Sequence, residues 1–126
     1  MKIAEIAVLA NGMICNPSMN LEREVNGACG ADLMSDVLAS VQPEAVLLTG
    51  LCNPQVVRTA HMADVRAIVF VRGKQPPPET IKLASKEGIP LIVSPYGLYE
   101  LCGRLFQAGL ASLEGSLPAD CYSCEE

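Results

Sequence analysis

The sequence has no tryptophan, only three tyrosines and two phenylalanines, and a single histidine. A core without large aromatics is built from Leu, Val, Ile, Ala and Met, a composition that suits parallel sheets covered on both faces. The lone His61 leaves one candidate base for any Cys-His or Ser-His-Asp arrangement, and no nucleophile motif surrounds it. Cations are scarce as well, nine Lys and Arg standing against 14 Asp and Glu for a net charge of −5. Nucleic acid and anionic membrane surfaces require clustered basic residues, so neither is an expected partner. Long apolar runs are missing, the richest being Ala45 to Leu48 and Ala67 to Val71, far short of the roughly 20 residues that span a bilayer. Lys2 stands alone before Glu5 interrupts the apolar pattern, which is not the arrangement of a secretory signal, and the expected location is cytoplasmic.

What is present fits one compact domain: 126 residues, half of them hydrophobic. Apolar residues at Ile3, Ile6, Ala7 and Ala10 predict a helix stopped at Asn11-Gly12, followed by a brief strand at Met13-Ile14-Cys15. Glu24-Val25-Asn26 reads as the end of a strand. The next segment, Gly27 to Asp32, reads as a strand-to-helix turn, with Asp32 capping a helix through Leu33, Met34, Val37, Leu38 and Val41. Ala45 to Thr49, Arg66 to Val71 and Leu91 to Val93 are continuous apolar runs, the signature of strands buried on both faces. Between them, Asn53-Pro54 opens a helix running to about Asp64. Pro78 opens a second helix that Gly88 stops, and a third runs from near Gly97 to Gly109. Strands alternating with helices at this spacing imply right-handed crossovers. The expected class is α/β: a three-layer α/β/α Rossmann-like domain with a mainly parallel sheet. This domain is expected over residues 1–110, with an acidic tail over 111–126.

In such a sheet the loops at the strand C-terminal ends collect ligands: Gly27 to Asp32, Thr49 to Asn53, Val71 to Lys74, and Ser94 to Gly97. The candidate ligand-binding residues are therefore Gly27, Gly30, Asp32, Asp36, Thr49, Asn53 and Arg72. The two aspartates disfavour a bare phosphate at the first turn and suit a ligand that offers hydroxyl, amide or amine donors. Gly73-Lys74-Gln75 lacks the earlier glycine and the Ser or Thr of a phosphate loop. Cys15, Cys29, Cys52 and Cys102 lie in or beside apolar segments, where a thiol packs as a small hydrophobe. Cys121 and Cys124 differ. Their Cys-x-x-Cys spacing is half of a zinc or iron–sulfur site, and a second chain would have to complete it.

Several of these residues together resemble a known family. Arg23 with Val25 and Gly27, the run Gly30 to Ala39, Leu48-Thr49-Gly50 with Asn53-Pro54, and Gly88-Ile89-Pro90-Leu91 are similar to the DRTGG domain over about Lys2 to Leu110. The eponymous Asp-Arg-Thr-Gly-Gly string is not intact, Arg23 and Gly27 being its only counterparts. The resemblance implies the fold of the N-terminal domain of HPr kinase/phosphorylase. It also implies a regulatory or dimerisation module of the kind found beside CBS pairs, in phosphotransacetylases and in regulated pyrophosphatases. Small stand-alone members are sometimes encoded near iron-only hydrogenase genes.

The expected function is thus a non-catalytic regulatory or small-ligand-binding module, acting as a homodimer, with a small-molecule or nucleotide effector and no cofactor assigned. An accessory protein for an iron-only hydrogenase or iron–sulfur system, with its own partner protein, is the first alternative. The second is an HPr-kinase-related enzyme, which the missing phosphate loop disfavours. If the terminal thiols bind metal across two chains, changing both Cys121 and Cys124 to Ser removes the metal after anaerobic purification and leaves the fold intact. Elemental analysis and circular dichroism of the two proteins check this, and equal metal content in both excludes the role.

Overall fold

The computed structural model describes residues 1–115. Its centre is a five-stranded sheet in the order β1-β5-β4-β3-β2, formed by β1 (Met13–Ile14), β2 (Gly27–Gly30), β3 (Ala45–Thr49), β4 (Ala67–Phe70) and β5 (Leu91–Val93). Strands β2 to β5 are parallel and β1 runs antiparallel along β5. Five helices accompany them: α1 (Ile3–Leu9), α2 (Met34–Ser40), α3 (Pro54–Met62), α4 (Pro78–Glu87) and α5 (Leu98–Gln107).

Each buried strand serves two cores because its side chains alternate. Val46 and Leu48 of β3, Ala67 and Val69 of β4, and Ile92 of β5 point to one face, where Ile3 and Ile6 of α1 meet Leu101 and Leu105 of α5. Leu47, Ile68, Phe70, Leu91 and Val93 point to the other, against Val37 of α2, Val56, Val57 and Ala60 of α3, and Ala84 of α4. The three crossovers between successive parallel strands place α2, α3 and α4 on one side. The result is the three-layer α/β/α sandwich expected from the sequence, with three helices on one face and two on the other.

Local chemistry explains most boundaries. Asn53 caps α3 by accepting from Val56 N at 3.2 Å, with Pro54 at the first helical position. Gly88 ends α4 in a left-handed conformation with φ 77°. The expectation fails at the second strand. Gly27 to Gly30 is β2 itself and not a turn; neither glycine has positive φ, and Glu24 makes only an isolated bridge to Lys2. Gly27-Ala28-Cys29-Gly30 has weak strand propensity, so its conformation comes from pairing. Gly27 registers with Ala45 on one side, and on the other the chain beyond α5 returns along the edge. Ala28 N donates to Ala111 O at 2.8 Å and Leu113 N donates to Ala28 O at 2.9 Å. Gln42 N to Leu113 O at 2.7 Å and Gly115 N to Ser40 O at 2.8 Å then fasten this segment to the end of α2.

The close approach leaves no room for a side chain at Gly27, where a Cβ would stand 2.4 Å from Ala111 O and 2.6 Å from Leu113 Cγ. Gly27→Ala is therefore expected to cost about 1–3 kcal/mol by overpacking. Gly97→Ala meets nothing within 4 Å and leaves stability nearly unchanged. Denaturant melts of the two variants check the contrast, and equal midpoints would refute the tight edge packing.

Candidate functional site

The loops at the C-terminal ends of β2, β3 and β4 converge on Asp32. The carboxylate was expected to cap α2, but the cap position is Leu33, and no side chain caps that helix. Asp32 instead reaches across to the neighbouring strand end, where its Oδ1 accepts from Thr49 Oγ1 at 2.9 Å and from Gly50 N at 2.8 Å. The reason is reach: one residue ahead of the cap, Asp32 meets a buried hydroxyl and a strand-end N–H that α3 does not use. Thr49 Oγ1 in turn accepts from Leu51 N at 3.2 Å, which fixes the hydroxyl proton toward Asp32. Both bonds to the carboxylate use Oδ1, and Oδ2 accepts no hydrogen bond among the described residues.

The β4 loop supplies the positive charge. Arg72 (φ 59°) and Gly73 (φ 66°) are both left-handed, a tight turn closed by Lys74 N donating to Val71 O at 3.2 Å. Arg72 N to Tyr96 O and Gly73 N to Ser94 O, each 2.8 Å, bind this turn to the β5 loop. Lys74 then lies over Gly50: its Cε and both Asp32 oxygens each stand 3.7 Å from where a Cβ on Gly50 would be. An anionic acceptor, Asp32, and an exposed cation, Lys74, thus meet over Gly50 at the strand ends, with exposed Arg72 in the adjoining turn.

The other expected site residues are distributed differently. Thr49 is fully buried and acts through Asp32, and the Asn53 oxygen is committed to its helix. Gly27 lies at the entering end of β2, away from the crevice, and Gly30 faces a second feature. Gly30 N donates to Glu114 Oε2 at 2.9 Å, beside an apolar recess of about 290 Å³ bordered by Leu48, Tyr99, Cys102, Gly103 and Phe106. Asp36 lies in the first turn of α2, where its charge acts on Cys29. Cys121 and Cys124 lie outside the described residues. Glu114 is not singled out by the sequence, and Lys74 enters there only within a loop that fails as a phosphate loop. Lys74 is surrounded by loop residues with no periodicity, and Glu114 acts from a segment whose placement depends on backbone pairing alone.

The four thiols among the described residues, Cys15, Cys29, Cys52 and Cys102, are poorly suited to nucleophilic chemistry. Burial pushes Cys29 up to about 11, aided by Glu114, Cys102 and Asp36. Burial raises Cys15 and Cys102 as well, and Cys52 despite the opposing pull of Lys74. His61 is exposed on α3 with Nδ1 at 3.7 Å from Glu87 Oε1.

These features define a Rossmann-like α/β domain with a polar crevice at its strand ends and a separate apolar recess under α5. The model of the DRTGG domain matches residues 5–108, and the chain belongs to the DRTGG domain family. Among solved structures it is similar to the CBS and DRTGG domains of the regulatory region of Clostridium perfringens pyrophosphatase, crystallised with the activator diadenosine tetraphosphate. The TM-score is 0.69 at 17% identity, with 85% of this chain and 46% of that one covered, so the chain spans about half of that regulatory region. No curated protein matches the sequence.

Cys29 generates a pH dependence. Its folded-state pKa lies above that of an unfolded thiol, so the folded state holds its proton where the unfolded state loses it. The contribution to stability is complete below about pH 8.5 and falls as pH rises toward 11. Cys29→Ala is expected to flatten this loss relative to the wild type, by an amount on the order of 2 kcal/mol. Urea melts at pH 8 and pH 10.5 check it; parallel losses in both proteins would count against the assignment.

Proposed function

We propose that the protein is a cytoplasmic regulatory module without catalysis of its own, which binds a nucleotide-like effector at the ends of β2, β3 and β4 and acts as a homodimer. The observation that carries this reading is the Asp32 carboxylate, held on Oδ1 by Thr49 and Gly50 with Lys74 alongside. A pre-positioned carboxylate accepts from paired donors such as ribose hydroxyls or an exocyclic amine. The adjacent Arg72 and Lys74 suit the phosphates of the same molecule. Membership of the DRTGG family and the likeness to a regulatory region crystallised with a dinucleotide activator support a regulatory role. Thiols held protonated by burial, and a single exposed histidine on α3, support binding over turnover.

Titration calorimetry with adenosine, AMP, ATP and diadenosine tetraphosphate tests the site. Asp32→Asn keeps an acceptor for Thr49 and Gly50 but removes the charge, and is expected to weaken binding by roughly 1.5–3 kcal/mol, about ten- to a hundred-fold. Lys74→Gln weakens the phosphate-bearing ligands and spares adenosine. Lys82→Gln, on the exposed side of α4, changes neither. Wild-type affinity in Asp32→Asn would place the effector elsewhere.

A further inference from the structure

We infer that the recess under α5 is a second ligand site, which takes a small organic cation: an apolar ring body carrying an ammonium group, with Glu114 as its counter-charge. This site is independent of the crevice at the strand ends. The recess lies between α5 and the chain that returns along β2, with Gly30 and Leu48 on the sheet, Cys102 and Phe106 on the helix, and Leu110 and Glu114 on the returning segment. Its volume is about 290 Å³. An apolar cavity of roughly 150 Å³ already accommodates benzene, so a body of one or two rings fits here. Water finds few partners inside, because Ala28 N and O are taken by Ala111 and Leu113, and Gly30 N by Glu114. Tyr99 and Phe106 border the recess and are 94% and 71% exposed. A ring lodged there covers them together with the apolar walls, and that burial supplies the affinity.

The charge at the recess has one sign. Glu114 Oε2 accepts from Gly30 N at 2.9 Å, which anchors the carboxylate beside the recess. Among the described residues no Lys, Arg or His forms an ion pair with it. Its charge reaches inward: after burial it is the next cause that raises the Cys102 thiol, and it adds to the rise at Cys29. Arg104, the one cation of α5, is committed to Glu100 at 2.9 Å and to the face of the Tyr96 ring. An anionic ligand would meet Glu114 without a compensating cation, and a neutral one would leave the carboxylate unpaired. An ammonium on an apolar body satisfies both parts of the site. Because Glu114 is exposed, the ammonium keeps part of its water, so the apolar body sets the strength of binding and the charge sets the selectivity.

Titration calorimetry of the full chain with tryptamine, 3-methylindole and indole-3-acetate tests the site with one ring system in three charge states. Tryptamine is expected to bind best, and indole-3-acetate at least about tenfold more weakly. Glu114→Gln keeps an acceptor for Gly30 N and is expected to weaken tryptamine by roughly fivefold while leaving 3-methylindole unchanged. Phe106→Ala, at an exposed position, keeps the fold and is expected to weaken both. The site is overturned if none of the three compounds binds, if tryptamine and indole-3-acetate bind equally, or if neither substitution changes the tryptamine affinity. Affinity lost in Asp32→Asn but kept in Glu114→Gln assigns the amine to the crevice. Affinity that falls as the protein concentration rises shows that a second copy covers the recess. Either of these results also overturns the site.

Discussion

A parallel sheet has to be covered on both sides, and the way this chain meets that requirement governs the rest of its structure. Successive right-handed crossovers carry α2, α3 and α4 to one face, leaving α1 and α5 to cover the other. Over β2 that two-helix layer is thin: Leu98 and Cys102 of α5 come close to Gly30, and the strand beneath is built of small residues, Gly-Ala-Cys-Gly. The recess under α5, the lining of Ala28 and Gly30, and the exposed aromatics of α5 all follow from that imbalance.

The same topology gathers polar groups at one edge. Because β2 to β5 are parallel, their C-terminal loops open on the same side, where Asp32, Thr49, Gly50, Arg72 and Lys74 come from three different loops. The turn at Arg72 and Gly73 is tied by its backbone to Ser94 and Tyr96, so the cations stand on a braced loop. Arg104 lies over the Tyr96 ring, 4.2 Å from its centroid, linking α5 to the same loop. Crevice and helix face are thus joined through the β5 loop.

Much of this was legible in the sequence. Ala45 to Thr49 and Leu91 to Val93 are continuous apolar runs, and Pro78 and Gly88 mark the ends of α4 in their usual positions. Asn53 caps as its residue type suggests, and the order of strands and helices announces the three layers. Two features lay beyond sequence patterning. The strand character of Gly27 to Gly30 arises from neighbours on both sides, since the residues themselves favour turns. Asp32 has the chemistry of a cap and one residue too much distance from the helix to use it; its real partners, Thr49 and Gly50, are 17 and 18 positions away. Tertiary hydrogen bonds of this kind leave no periodic trace.

The return of Ala111–Leu113 to β2 also bears on how the protein is made. Strands β2 to β5 can assemble in the order in which they are synthesised, each beside the one before. The outer edge of β2, the first of them, stays open until the chain has crossed the whole sheet through α5 and come back. A nascent chain halted after β5 would display an unsatisfied strand rim built from Gly, Ala and Cys, a template for pairing with its neighbours on a polysome. Sealing that rim is the last act of synthesis for this domain, and the interval before it is when aggregation has its opening.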